Sequence, residues 1–163
     1  STSGTPLLEP EALSCLREHL FPLCSLLTPN LPEAQALLEC SSESSSQMED
    51  AAGEIARRFG CSVLLKGGHS DTFSQEAADC LHIGEIGKTI WVSSPRLDCR
   101  NTHGTGCTLS SAIACGLAQN FSMEESVRKG KNYLEKALRN DLDLGQGNGP
   151  LNHGCCLQNT LLL

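Results

Sequence analysis

Apolar positions along this chain alternate between a helical and an extended period. Residues 11–23 place Leu13, Leu16, Leu20 and Leu23 on one side of a helix. The apolar run at 25–28 then stops at Pro29, Asn30, Leu31 and Pro32, which marks the sharp end of a buried strand. A short helix over 32–38 follows, and the polar CSSESSSQ at 40–47 reads as a surface loop. Helical spacing returns over 47–59 through Ala52, Ile55, Ala56 and Phe59. Residues 62–65 form a second apolar strand, and 79–83 and 88–93 are two more, joined by the turn GEIG as a hairpin at a sheet edge. Helices over 108–118 and 123–138 close the pattern, the latter aligning Val127, Leu134, Ala137 and Leu138. Helices between buried strands predict a parallel, three-layer α/β/α sheet.

The densest chemistry lies just before the helix at 108–118, in the run NTHGTGCT from Asn101 to Thr108. A helix N-terminus exposes backbone N–H groups without intrahelical partners at the positive end of the macrodipole, and such groups bind anions. Gly104 and Gly106 can adopt backbone angles closed to other residues and leave the amides bare for a phosphate. Thr105 and Thr108 offer hydroxyl donors or a cap. Cys107 falls on the first turn, where the positive helix end favours an anionic sulfur. The alternative is a glycine turn followed by a structural cysteine; on these residues alone the two readings are evenly balanced.

Two strand ends carry further candidates. Asn30 and Glu33 are oxygen ligands suited to Mg²⁺ or its retained waters, at a strand's C-terminal edge, where ligands of open α/β sheets bind. The same spacing also describes a helix cap, with Asn30 before Pro32 in the first turn, and spacing alone favours the cap. Lys66 closes the strand at 62–65 ahead of Gly67 and Gly68. Its ammonium must reach water or an anion, and a phosphate would serve.

Taken together, TPNLPEAQALL, LLKGGH, RLDCRNTHGTGCTLSSAIA and the closing GQGNGPLNH resemble the C-terminal portion of the hydroxymethylpyrimidine/phosphomethylpyrimidine kinases of thiamine biosynthesis, members of the ribokinase-like superfamily. The resemblance runs from Ser1 to about His153, leaving 154–163 as a tail of unknown role. It implies a three-layer ribokinase-like sheet lacking its N-terminal strands, and ATP-dependent phosphorylation of a hydroxymethylpyrimidine and then of its monophosphate. It assigns Gly104, Thr105, Gly106 and Cys107 to an anion hole around the transferring phosphoryl group, with Cys107 as the group that activates the acceptor hydroxyl. Lys66, Thr105 and Gly106 fall on the ATP phosphates, and Asn30 and Glu33 on Mg²⁺. The chain begins downstream of the GSDSSGGAG-like segment that such kinases carry, so the resemblance implies a missing substrate half. Its first strand is then expected to be an open edge, with marginal stability or self-association into homo-oligomers. Two alternatives remain: a non-catalytic nucleotide-binding or interaction module, and a pyridoxal kinase relative.

Composition narrows the partners. The 163 residues carry 12 Lys and Arg against 19 Asp and Glu, a net charge of -7, which is unlike the basic footprint of a nucleic-acid binder. Aromatic residues are only 4%, too few for a base-stacking platform. Ten cysteines are scattered without a CxxC pair, and Cys99, His103 and Cys107 would still need a fourth ligand to hold a metal. No stretch is apolar enough to cross a bilayer, and the expected setting is a reducing cytoplasm with free thiols.

Overall fold

The computed structural model describes residues 9–38, 45–67, 76–97, 99, 102–140, 142, 147 and 149–155. The chain divides into two compact units, residues 1–93 and 94–163.

In the first unit the described strands form one sheet in the order β1 (Leu26–Leu27), β2 (Ser62–Lys66), β3 (Glu76–Ile83) and β4 (Lys88–Pro95). Only β1 and β2 run parallel; β2 and β3 are antiparallel. β1 and β2 follow the expected parallel arrangement, and β3 departs from it. A parallel return needs a crossover of about a dozen residues or more, and the nine residues 67–75 between β2 and β3 are too few. The hairpin between β3 and β4 occurs as expected, through turn residues 84–87.

β2 is buried along Ser62, Val63, Leu64 and Leu65, as its unbroken apolar run requires. Val63 and Leu65 face a core built by Ala34 and Leu37 of α2 (Leu31–Leu38) and by α3 (Ser45–Phe59). From α3 come Met48, Ala51, Ala52, Ile55, Ala56 and Phe59, one continuous helical stripe. α3 starts at Ser45, so the end of the polar run expected as loop is helical, while 39–44 lie outside the described residues. Trp91 on β4 donates its indole N–H to Glu49 of α3 at 2.5 Å.

The segment expected as one helix over 11–23 changes pitch twice. It is α-helical over Pro10–Cys15 (α1), π-helical over Leu16–Leu20 and a 3₁₀ turn over Phe21–Leu23. Pro22 has no N–H to donate and crowds the preceding turn, so a regular α-helix cannot run through it. The altered pitch breaks the expected leucine stripe, leaving Leu20 at 49% and Leu23 at 80% exposure. Phe21 instead meets Phe59 edge to face at 5.1 Å, and Arg17 donates to the Leu37 carbonyl at 2.8 Å.

The second unit is dominated by α4 (Thr105–Ala118) packed on α5 (Met123–Arg139). α5 opens with a capping box, in which Ser122 Oγ accepts from the Glu125 N–H and Glu125 Oε2 accepts from the Ser122 N–H. The Ser122 hydroxyl also donates to Glu125 Oε2 at 2.7 Å, and this bond together with that from the Ser122 N–H holds the Glu125 carboxyl below its ordinary range. The two helices approach closely because two glycines face the partner helix. A Cβ on Gly116 would stand 2.9 Å from Ser126 Oγ, and one on Gly130 would stand 2.8 Å from Ile113 Cγ1.

Candidate functional site

Within the first unit the end of β1 and the end of β2 lie side by side. Lys66 N–H donates to the Pro29 carbonyl at 2.9 Å, and Asn30 and Lys66 form a parallel bridge. Asn30 is also the cap of α2: its Oδ1 accepts the Glu33 N–H at 2.8 Å, and Glu33 Oε2 accepts the Asn30 N–H at 2.8 Å. This reciprocal box is the capping arrangement anticipated from spacing. Both residues are half-buried, and the box fixes their oxygens at the sheet's edge. Asn30→Ala is expected to lower stability by about 1 kcal/mol, read as a lower denaturant midpoint with unchanged slope.

Lys66 is half-buried, and its ammonium forms no ion pair with any described residue. Gly67 follows it into the interior, while Gly68 and His69 lie outside the described residues. Sequence reading missed the neighbour that matters most here. Asp79 is 5% exposed and stands opposite Lys66 in the β2/β3 register, and its Oδ1 accepts the Gly67 N–H at 3.0 Å. The available signal was an acid in the middle of a segment that is otherwise buried on both sides.

In the second unit, Gly104 is the N-cap of α4 with φ +83°, a left-handed conformation natural to glycine. Its carbonyl accepts the Thr108 N–H at 2.9 Å, which starts the helix three residues earlier than apolar spacing suggested. Thr105 N–H reaches back to the Thr102 carbonyl at 3.4 Å. The N–H groups of Gly106 and Cys107 find no acceptor among the described residues. Gly104, Thr105 and Gly106 are half-buried and Cys107 is exposed, so this helix end opens outward. Apart from its chain neighbours, no described residue lies within 4 Å of the place where a Cβ of Gly104 would stand. Asn101 lies outside the described residues.

The closing motif braces this turn. Pro150 forms a parallel bridge with His103, Leu151 is buried at 4% exposure, and His153 stacks on Tyr133 of α5. The Tyr133 hydroxyl and His153 Nδ1 are 3.2 Å apart. Residues 156–163 lie outside the described residues.

The thiols differ sharply in environment. Cys80, in the β3 core, is pushed up to about 12 by burial and by the nearby carboxylates of Glu49 and Asp79, and burial also raises Cys61. Cys107 is exposed at a helix start instead. The described residues contain no group of three or more His, Cys, Asp or Glu side chains arranged to hold a metal ion. No helix among them is long and apolar enough to cross a membrane.

Several known kinases are similar to this chain. The chain is 42% identical over 154 residues to the hydroxymethylpyrimidine/phosphomethylpyrimidine kinase of Salmonella typhimurium, covering 93% of this chain and 56% of that protein. It is 41% identical over 150 residues to the thiamine biosynthesis bifunctional protein ThiED of Geobacter sulfurreducens, covering 92% of this chain and 30% of that protein. Among solved structures, the ADP complex of Bacillus subtilis pyridoxal kinase superimposes with a TM-score of 0.83 at 31% identity, covering 94% of this chain and 59% of that one. The chain therefore spans little more than half of these kinases, and less of the bifunctional protein. The fold is the mixed α/β fold of the ribokinase-like kinases. A family model for phosphomethylpyrimidine kinase matches residues 1–152, and the chain belongs to that family.

Proposed function

We propose that this chain carries the nucleotide side of a kinase that uses ATP to phosphorylate a hydroxymethylpyrimidine and then its monophosphate. Residues 1–153 would be the C-terminal part of the kinase domain, with 154–163 as an appended tail. The observation that carries this reading is the outward-opening start of α4, where the Gly106 and Cys107 amides have no acceptor among the described residues. A phosphoryl group in transfer spreads negative charge over its equatorial oxygens, and preorganised N–H donors stabilise that charge without reorganising. Gly104 turns the chain so that Gly106 and Cys107 present their amides in sequence, while the Thr105 N–H turns back to the Thr102 carbonyl.

Cys107 would take the proton of the acceptor hydroxyl as its oxygen bonds to the γ-phosphorus and the bond to the ADP oxygen breaks. Lys66 would meet the nucleotide phosphates as a point charge. Asn30 and Glu33 offer hard oxygens, two donors rather than a full cage, which fits a Mg²⁺ ion that keeps its waters and shares phosphate oxygens. When bound, Mg²⁺ supplies neutralisation of phosphate charge. Both side chains would do this while remaining the α2 cap, since each oxygen that accepts an N–H has a second lone pair.

Identity near 40% to pyrimidine kinases supports the pyrimidine ring as acceptor over pyridoxal, whose kinase is alike in fold at 31% identity. Titration calorimetry with Mg-ATP, followed by the pyrimidine alcohol, tests the reading. In the full-length kinase, heat in both steps is the expected result. Heat from nucleotide alone would mean a non-catalytic nucleotide-binding module, and no heat from either would end the nucleotide assignment.

A further inference from the structure

Among the described residues Asp79 is the one buried acid, and it stands beside the candidate phosphate-side lysine without pairing with it. The two are direct partners across the β2/β3 ladder, yet Asp79 Oδ1 engages the next backbone amide, Gly67 N–H, at 3.0 Å. A carboxylate at 5% exposure needs hydrogen-bond donors to offset its lost hydration, and a charge-assisted bond to an amide is a strong one. Gly67 is pressed so closely onto β3 that a Cβ there would lie 2.5 Å from the Ala78 carbonyl oxygen and 2.9 Å from Met48 Cε. On the opposite side, Lys66 N–H is held by the Pro29 carbonyl. The Lys66 backbone is thus clamped between β1 and the Asp79-anchored turn, and its ammonium is left without an ionic partner among the described residues.

Resting on the reading of Lys66 as a nucleotide-phosphate cation, we propose that Asp79 is a positioning residue for ATP binding, acting by anchoring the Lys66–Gly67 backbone so that the Lys66 ammonium is presented to the phosphates. The acid is matched to the amide rather than to the ammonium, so it orients the cation without neutralising it.

The test is a double-mutant cycle of Mg-ATP affinity by calorimetry on the wild-type chain, Lys66→Ala, Asp79→Ala and the pair, with thermal melts alongside. Asp79→Ala is expected to weaken ATP at least about tenfold, and the pair to bind no more weakly than Lys66→Ala alone, because contacting residues that act as a unit are not additive. Asp79→Asn, which retains an amide oxygen as acceptor, should restore affinity to within about threefold of wild type, since that oxygen can still take the Gly67 N–H. Should Asp79→Ala fail to fold, Asp79→Glu, which shifts the acceptor by one methylene, is expected to weaken ATP and to be non-additive with Lys66→Ala. Lower melting temperature with wild-type ATP affinity, or multiplied losses in the pair, would overturn the positioning role. Wild-type affinity in Lys66→Ala would instead refute the lysine assignment beneath it.

Discussion

In the full-length kinase, Cys107→Ala is expected to lower turnover of the pyrimidine alcohol by about 10²- to 10⁴-fold, the usual contribution of a positioned proton acceptor. The measurement is ADP release with saturating Mg-ATP. The fold should survive, because Cys107 is exposed and is not among the buried core residues. ATP affinity should change little as well, since the amides at 106 and 107 belong to the backbone and remain. A fall in kcat with unchanged nucleotide affinity is therefore the signature of proton transfer at this thiol. Equal turnover in the variant would remove Cys107 from the chemistry and leave the turn as a binding element only.

The largest effect on stability is expected from Gly130→Val. Its Cβ would stand 2.8 Å from Ile113 Cγ1 and 3.4 Å from Leu109 Cδ1, and both neighbours are buried in the α4 face. A valine there must therefore displace these packed side chains or part α4 from α5. Overpacking of this kind costs about 1–3 kcal/mol, sometimes more, which for a chain of this size lowers the melting temperature by roughly 2–4 °C for each kcal/mol. The reverse test is informative too. Gly130→Val combined with Ile113→Ala should recover part of the loss, because the cavity created on α4 accepts the new methyl groups.

What the sequence made legible was set by short-range physics. β2 announced itself because a strand covered on both faces must be apolar throughout, and 62–65 is. The cap of α2 followed from Asn30 and Glu33 at a spacing of three with Pro32 between them, a pattern whose hydrogen bonds close within one turn. The helical start at Thr105 was harder, because amphipathic spacing records where a helix is covered, starting here at Leu109, and not where its backbone begins. The Pro22 disturbance spread backwards into a π-helical turn that the leucine spacing could not reveal. Asp79 was invisible as a partner of Gly67 for a different reason. That bond depends on the β2/β3 register, which is fixed only when the two strands pair.

The chain contains one tryptophan and one tyrosine, and they fall in different compact units, Trp91 against Glu49 in the first and Tyr133 against His153 in the second. Each half thus carries its own chromophore. Emission excited at the red edge senses only the sheet-bearing half, while phenol absorbance follows the helix pair, so divergent melting curves would show the halves losing order independently and superimposed curves would show them failing together.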